Sequence, residues 1–550
     1  MLPGAVSLGA YEGGALAAVL TAVQASDGEQ VIDAIASASA GSMTGLIASR
    51  ALLAGADPVE LMRQTWVVLP QLQELETHDL SAPLSMAKLV STATELLGTT
   101  LVGDGPRKQS EPVRLSMALT LLGGLSYAIP HLRDPNDPEL AETLLGTTYI
   151  DFFNTELEPG ATTQDYLGVL DAAMTSGSTP VGFPPRIMNR DGVAADYKKN
   201  GVLAPPDKPY TFWYSDGGDM DNQPLGRLLD LIAEIPESAQ DNRVIVMLNI
   251  EPGAPPTWAG TWFDPDRVPS WLSTLLRVNH IRTSQSIFDD LRRLEKTNRH
   301  IAWIKRAAST IEGFLDRPAD DSLSAAVGQA ASEVAGERGE IRNAIRDAAG
   351  APRSEMLEPV ASSLEGLLLQ AAGLDGKREV VVEVISPEVD PSVHLTADQQ
   401  LSGEFLFHFG GFFDQTFRES DFALGYRNAR YWLGWWLEGR VRDPAPVLDA
   451  VDAGYASLPS PVESYGDASV TTLSTIEKVH GIDLLGRVGL VVAHDLALDV
   501  ANELEQGEVH RLVDKVEGDL HLRKGRPRPA ADPTHPSRLP PPPQNKPIPP

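Results

Sequence analysis

The sequence predicts an α/β fold, and three observations indicate it. Strand-like and helix-like segments alternate between Gly9 and Ile250, an order typical of a sheet with helices packed on its faces. Residues 31–53 read as a strand, a tight turn and a helix. The run RVIVMLNI at Arg243–Ile250 reads as a buried strand, because a short, continuous apolar run fits a strand that is covered on both faces.

The composition is that of a folded protein with more than one domain. The chain has 550 residues, of which 42% are hydrophobic and 22% charged, enough for about two or three domains. It contains no cysteine, which excludes disulfides, thiolate metal sites and a cysteine nucleophile. Its net charge of −30 disfavours nucleic acid and anionic lipid as partners held by charge alone.

The first apolar stretch, Ala5–Val23, has three interpretations: a signal peptide, a membrane span, or a glycine-containing loop that leads into a core helix. No basic residue precedes it, Glu12 lies inside it, and Gly9, Gly13 and Gly14 interrupt it. These features favour the loop and the core helix. Such a loop can aim backbone N–H groups at a developing oxyanion.

The segment Val31–Gly45 contains the strongest candidate for a catalytic residue. Its apolar strand ends in the small residues Ser37–Gly41, and a helix-like segment follows. A serine at such a turn, here Ser39, is held out of the sheet at a helix N-terminus, where backbone N–H groups point at the group that it attacks. Small neighbours fit a strained turn whose two arms nearly touch. The alternative is an ordinary turn in which Ser39 caps the helix.

A candidate base follows an aromatic strand further along the chain. Tyr210–Ser215 reads as a strand that delivers Asp216 to its end, where Gly217 and Gly218 turn the chain. An aspartate within hydrogen-bond reach of a serine can take the serine proton. The motif alone is weak evidence, because Asp-Gly is a common turn.

Together these segments resemble the patatin-like phospholipase family. The resemblance rests on the loop Gly4–Gly9, the elbow Ser37–Gly41 and the motif Asp216–Gly218, which stand in the order that the family has. Two further segments are similar to family motifs: Thr175–Pro185, which ends in Phe-Pro-Pro, and Asp221–Leu225. The individual residues that stand at motif positions of the family are Gly9, Ser37, Gly41, Gly217 and Gly218.

The resemblance implies a patatin-like three-layer core, with a central sheet between helices, and a mainly helical C-terminal region. The stretch Gly410–Asn428 is similar to bacterial patatin-related proteins with such an extension. The implied function is that of a hydrolase in lipid degradation, which cleaves a lipid or phospholipid carboxylic ester and uses no metal or other cofactor. Ser39 and Asp216 would be the catalytic dyad, with an acyl-serine intermediate. Backbone N–H groups would form the oxyanion hole, at Gly4, Ala5, Val6 and Ala40.

The chain departs from the family pattern at three places. Ser37 stands where the family has the first elbow glycine, and Leu8 stands where many members have a basic residue. The family has an apolar strand before the oxyanion loop, whereas only Met1–Pro3 precede the loop here. We therefore expect low stability unless a longer start exists upstream. These departures keep open a second hypothesis, a weak or inactive relative that acts as a binding or scaffold protein.

Other chemical interpretations are weaker. Asp216, Asp219 and Asp221 form an acidic cluster, but the rest of a calcium-binding loop and its closing glutamate are missing. The loop Gly4–Gly9 is not followed by the Lys-Ser or Lys-Thr of a phosphate-binding loop. The 11 histidines lie in no motif beside the candidate serine or aspartate. We expect them to be structural, with a three-member triad as the alternative.

We predict four regions: an α/β hydrolase core at 1–265, a helical region at 266–377, a strand and a helical extension at 378–523, and a disordered proline-rich tail at 524–550. Within the core, Leu84–Leu125 reads as helical.

In the extension, the aromatic residues from Phe417 to Trp436 either dock a helix onto the core or anchor it at a membrane. The charges between them favour docking. The expected location is the cytoplasm, with transient contact to a membrane surface where a lipid substrate lies. The sequence indicates no oligomeric state.

Overall fold

The computed structural model shows a mixed α/β protein, with parallel and antiparallel strand pairs in its central sheet and helices that flank it. It describes residues 1–71, 75, 82–98, 109–134, 137–180, 182–199, 202–203, 210–235, 243–250, 287–288, 290–304, 379–404 and 408–461. The predicted tail at 524–550, most of the predicted helical region at 266–377 and the extension beyond 461 lie outside the described residues.

The strands of the described residues are β1 (Ala34–Ser37), β2 (Val113–Asp134), β3 (Asp137–Leu157), β4 (Arg186–Asn189), β5 (Thr211–Ser215), β6 (Val244–Leu248) and β7 (Val381–Ile385). β1 pairs with β2 in parallel, and β6 pairs with β7 in parallel. β3 and β5 are antiparallel to β2, and β4 is antiparallel to β5. The strands predicted at 210–215 and 243–250 are thereby confirmed as β5 and β6.

β2 brings the ends of β1 and β5 together. β3 pairs continuously with residues 113–120 of β2 and therefore occupies one edge of that strand. β1 pairs with residues 114–117 and β5 with residues 120–121 of β2, so these two strands share the other edge. Because β1 runs parallel and β5 antiparallel to β2, their C-terminal ends face each other. The turns that follow β1 and β5 meet at this point.

The N-terminal residues lie between β1 and β6 and join the two parts of the sheet. Leu2 exchanges two backbone hydrogen bonds with the β1 segment, at 3.0 and 3.1 Å. On the other side, the Met1 amine donates to Val246 O at 2.7 Å, and the Met1 carbonyl accepts from Leu248 N at 3.2 Å. A cavity of about 450 Å³ adjoins Met1 in the same gap between the two strands. The first residues thus fill only one end of an inner strand position.

The helices with bounds inside the described residues are α1 (Gly9–Ala25), α2 (Ala40–Ala54), α3 (Pro58–Arg63), α4 (Ala87–Gly98), α5 (Thr163–Ser176), α6 (Ala194–Lys199), α7 (Gly218–Asp221), α8 (Leu225–Ala233), α9 (Ala397–Gln400), α10 (Gln415–Trp436) and α11 (Pro444–Ala456). Residues 287–288 and 290–304 are helical as well. A π-helical turn, Gln64–Val68, continues α3. Short 3₁₀ turns cover Val6–Leu8, Asp191–Val193 and Gly410–Phe412.

α1 is the central core helix and crosses α10 at very short distance. Among the described residues, Val6–Ala25 is the one helix with the length and apolarity to cross a membrane, and 83% of its apolar window is buried in the protein. A Cβ at Gly14 would lie 1.9 Å from Phe422 O, and a Cβ at Gly425 would lie 2.0 Å from Tyr11 O. Only glycine at these two positions permits this approach.

The aromatic residues of α10 mostly face the core. Trp432 and Trp436 are buried and stack on each other with ring centroids 4.7 Å apart. Tyr431 and Trp435, on the opposite side of the helix, are exposed. The prediction that this segment docks onto the core is confirmed for the buried residues.

The predicted helix over Leu84–Leu125 is wrong in its second half. α4 covers part of the stretch, but Val113–Leu125 belongs to β2. Both odd- and even-numbered residues are buried in this part of β2, so both faces of the strand are covered: Val113, Leu115, Ser116, Met117, Ala118 and Leu119. The apolar residues at 113, 115, 117, 119 and 121 alternate with Arg114, Ser116, Ala118 and Thr120, which is the period of a strand and not of a helix, so the helical interpretation missed this signal.

Candidate active site

Ser39 lies at the turn between β1 and α2. Its backbone has φ 51° and ψ −126°, a conformation that non-glycine residues rarely adopt and that persists only where surrounding contacts hold it. Ser39 occupies the N-cap position of α2, but its side chain accepts no hydrogen bond from the helix. Its Oγ donates instead to Asp216 Oδ2 at 2.6 Å. The alternative interpretation required the Ser39 side chain to cap the helix, and it does not.

The small residues around Ser39 are needed because the N-terminal loop packs directly against the turn. A Cβ at Gly41 would lie 2.5 Å from the carbonyl oxygens of Leu2 and Pro3. A Cβ at Gly4 would lie 2.9 Å from the Cβ of Ser39. The departure at Ser37 causes no backbone strain, because φ is not positive there. The turn thus tolerates serine in place of the first elbow glycine.

Asp216 is held at the end of β5 by a tight fit against β2. Its Oδ1 accepts from Gly218 N at 2.7 Å, and its carbonyl accepts from Thr120 Oγ1 at 2.6 Å. A Cβ at Gly217 would lie 2.0 Å from Ala118 O, so the chain passes β2 at this point only with glycine. The carboxylate has one oxygen fixed by the turn and the other directed at Ser39.

The environment of Asp216 raises its pKa from 3.8 to about 8. Burial is the largest cause, because desolvation disfavours the charged carboxylate. The negative charge of Asp219 raises the pKa further, whereas the hydrogen bonds from Ser39 and Gly218 lower it. The side chain is only 4% exposed. A carboxylate with such a pKa is a stronger base than an ordinary aspartate.

Three further serines brace the turn. Ser39 N donates to Ser176 Oγ at 2.9 Å, and Ser176 Oγ donates to Ala118 O at 2.7 Å. The Ser42 hydroxyl lies 2.9 Å from that of Ser176 and 3.1 Å from that of Ser37. The network ties the Ser39 backbone to β2. Sequence reasoning flagged Thr175–Pro185 through the family resemblance but gave Ser176 no role.

Asn222 fixes the start of the N-terminal loop. Its Oδ1 accepts from Gly4 N at 3.1 Å, and its Nδ2 donates to Gly4 O at 3.3 Å. The Gly4 N–H also approaches Asn222 O at 3.2 Å. Gly4, one of the predicted oxyanion donors, thus has its N–H engaged within the protein. The other predicted donors are the N–H groups of Ala5, Val6 and Ala40.

The N–H groups of Ala5, Val6 and Ala40 have no acceptor among the residues that the structure describes. Val6 has φ 51°, a strained value for a β-branched residue. Ala40 follows Ser39 at the first position of α2, so its N–H is one that a helix leaves unpaired. Val6, Ser39 and Ala40 line one cavity. Unpaired N–H groups at such positions can stabilise a negatively charged oxygen in the cavity.

The cavity beside Ser39 has a volume of about 70 Å³ and an apolar wall. Side chains from α2, α4 and α5 contribute most of the wall, together with Phe412 of the C-terminal region. Its lining residues include Met43, Leu46, Trp66, Met86, Leu96, Leu170, Met174 and Phe183. No lysine or arginine lines it within the described part of the chain, and Leu8 is completely buried. The site therefore lacks the positive charge that many members of the resembled family carry.

The remaining predicted residues have structural contacts. Gly9 packs against Trp66, since a Cβ there would lie 2.4 Å from the indole ring. Ser215 Oγ donates to Asp219 at 2.9 Å. Within the described ranges, no group of three or more histidine or acidic side chains is placed to hold a metal ion. The hydrogen bonds of the Ser39 and Asp216 side chains described above involve no histidine.

Comparisons with known protein families, with curated proteins and with solved structures find no match to this chain.

Proposed function

We propose that the chain is a patatin-like serine hydrolase that cleaves the carboxylic ester of a lipid or phospholipid. The observation that carries the proposal is the 2.6 Å hydrogen bond from Ser39 Oγ to Asp216 Oδ2, which is formed at a strained turn beside an apolar cavity. A patatin-like three-layer core belongs to the same proposal. It is supported by the order of the loop, elbow and Asp-Gly-Gly segments along the chain.

The first half of the reaction forms an acyl-serine. Asp216 takes the Ser39 proton while Oγ attacks the ester carbonyl carbon. The carbonyl π bond opens, and its oxygen takes up the negative charge, which the N–H groups of Ala5, Val6 and Ala40 stabilise. When this intermediate collapses, the bond to the alkoxy oxygen breaks, and Asp216 returns the proton to the leaving alcohol.

The second half releases the acid. Water attacks the acyl carbon while Asp216 takes one water proton. Collapse of the second tetrahedral intermediate breaks the bond to Ser39 Oγ, which recovers a proton from Asp216. The same carboxyl thus acts once as base and once as acid in each half, and with a pKa of about 8 its ionised, basic form increases as the pH rises towards 8.

The apolar cavity supports a lipid ester rather than a charged small molecule. Its lining is aliphatic and aromatic, and burial of apolar surface stabilises a bound hydrocarbon chain by about 25 cal/mol per Å². We assign the acyl chain to this cavity and the headgroup to the open side of Ser39.

A weak or inactive relative that serves as a binding protein is the second candidate. Two features favour this candidate. The buried Leu8 stands where many members of the family have a positive charge, and the small volume of the cavity limits the length of the acyl chain. In that case the Ser39–Asp216 pair would be retained without turnover.

Hydrolysis of a short-chain nitrophenyl ester, with fluorophosphonate labelling, separates the two candidates. We expect turnover and one label per chain in the wild type, and neither in Ser39→Ala. Ser49→Ala is the matched control, because Ser49 is a buried serine of α2 that donates to Leu46 O and does not line the cavity. A wild type that neither turns over nor labels would contradict the enzyme proposal.

A further inference from the structure

The N-terminal loop is bonded directly to a segment from the C-terminal region, residues 408–413, which we call the C-terminal brace. Ser7 N donates to His408 O at 2.9 Å, and Ser7 Oγ donates to the same carbonyl. Gly411 N donates to Ser7 Oγ at 2.9 Å. Ser7 is fully buried and is the residue after Val6. The brace thus contacts the loop one residue from a proposed oxyanion donor.

The brace is itself fixed by buried polar groups of α10. Arg418 Nη1 donates to Gly411 O at 2.7 Å, and its Nε donates to Val67 O at 3.0 Å. Asp421 accepts from Ser402 N at 2.6 Å and from Gly403 N at 2.9 Å. Both side chains are almost completely buried. The Arg418 contact gives the brace a defined position relative to α10, and the Asp421 contacts fix residues 402–403 on the same helix.

α10 is in turn fixed on α1, the helix that continues the N-terminal loop. The reciprocal approach of Gly14 and Gly425 sets the distance between the two helices. The loop is therefore held at both sides of Val6, by Asn222 at Gly4 and by the brace at Ser7. A β-branched residue at positive φ relaxes unless its surroundings hold it.

We propose that the C-terminal brace positions the oxyanion loop through Ser7, so that the extension is a working part of the active site. The inference rests on the proposed esterase function. Ser7, His408 and Gly411 are positioning residues, because they act on the N–H groups of Ala5 and Val6 and do not touch the reacting atoms. Phe412, from the same segment, forms part of the cavity wall.

The test uses two single variants that disturb the same contact from opposite sides. Ser7→Ala removes the hydroxyl that joins the loop to the brace. Gly411→Ala leaves Ser7 in place but brings a Cβ to 2.8 Å from its Oγ. Ser49→Ala again serves as the buried-serine control.

We expect each single variant to lower kcat by about 10²-fold with little change in KM, since a displacement of about 1 Å at a reacting centre has an effect of this size. Ser39 should still label to one equivalent, and the melting temperature should fall no more than in the control. The double variant should lose no more than either single variant, because both break one contact.

The outcomes separate this inference from the proposed function. If the wild type labels and hydrolyses, and Ser7→Ala or Gly411→Ala keeps wild-type kcat, the brace has no positioning role. A double variant whose loss of kcat equals the product of the two single losses would also contradict the positioning role. Where Ser7→Ala does not fold, Gly411→Ala alone decides by the same kcat and KM criterion. A wild type without label or hydrolysis overturns the proposed function, and this inference with it.

Discussion

At the scale of residues, the buried carboxyl of Asp216 links the proposed chemistry to stability. It must be ionised to accept the Ser39 proton, yet burial and the charge of Asp219 favour its protonated form. The two requirements conflict at neutral pH. The pH dependence of activity therefore reports directly on this group.

We predict that kcat/KM rises with pH and levels off above about pH 8, where the free enzyme has an ionised Asp216. Asp219→Asn removes a negative charge that raises this pKa, so its profile should shift to lower pH. A pH series of ester hydrolysis for the two proteins measures the shift. An unshifted midpoint would mean that another group controls the profile.

Asp216→Asn should lower kcat by orders of magnitude, because the amide cannot take the serine proton. The folded-state pKa of Asp216 lies above its unfolded value. Its stabilising contribution is thus complete below pH 3.8 and is lost as the pH rises through about 8. The variant should therefore lose less stability than the wild type between pH 4 and 9. Denaturant unfolding at both pH values checks this, and parallel losses in the two proteins would contradict it.

The sequence predicts only the part of the site that is encoded locally. Ser39 and Asp216 stand out because small residues flank one and glycines follow the other. The hydrogen bonds made by Ser176, Asn222 and Ser7 join residues more than a hundred positions apart. No local pattern encodes such pairings, so these roles emerge only from the tertiary fold.

At the scale of elements, the crossing of α1 and α10 connects the core to the C-terminal region. α1 lacks the amphipathic stripe of a surface helix, since it is buried nearly all round. The sequence predicted the docking from the charged residues between the aromatic ones, and not from Gly14 and Gly425. Helix-interior glycines appear unfavourable in isolation, and their use here depends on the partner helix.

Gly425→Ala should destabilise the protein and lower esterase activity, because its Cβ would lie 2.0 Å from Tyr11 O. Gly434→Ala on the same helix is the matched control, since a Cβ there meets nothing within 4 Å. The control should gain up to about 1 kcal/mol from helix propensity. Thermal unfolding of both variants gives the comparison. Equal melting temperatures would show that the crossing can widen without loss.

β2 shows why part of the sheet escapes sequence reasoning. Both faces of its first half are buried although one of them carries Ser116 and Thr120, and β1, β3 and β5 supply the hydrogen bonds that make it a strand. β1 and β5 were easier to predict because turns with glycine or other small residues follow them. The meeting of their ends on one edge of β2 is a property of the sheet and not of either strand.

At the scale of the whole molecule, the sheet has an incompletely filled position beside Met1. The Met1 amine is buried, and desolvation lowers its pKa to about 5. The adjoining cavity of about 450 Å³ lies between β1 and β6. Both features oppose stability, because burial of the terminal amine and an unfilled cavity are each unfavourable.

An engineered apolar extension of about 5–6 residues before Met1, the usual length of a strand, should raise the melting temperature. It would pair with β1 and β6 along the edges that line the cavity, fill the cavity and move the amine into solvent. An extension of equal length with alternating prolines, which cannot donate to the ladder, is the control. Equal melting temperatures for the two extended proteins would contradict the strand interpretation.

The central claim is that Ser39 attacks an ester and carries its acyl group. Rapid acid quenching of the protein during turnover of a nitrophenyl ester, followed by peptide mass spectrometry, tests it most directly. We predict the acyl mass on the peptide that contains Ser39, no adduct in Ser39→Ala, and a strongly reduced adduct in Asp216→Asn. An unmodified Ser39 in a protein that hydrolyses the ester, or an acyl group on another serine, would contradict the claim.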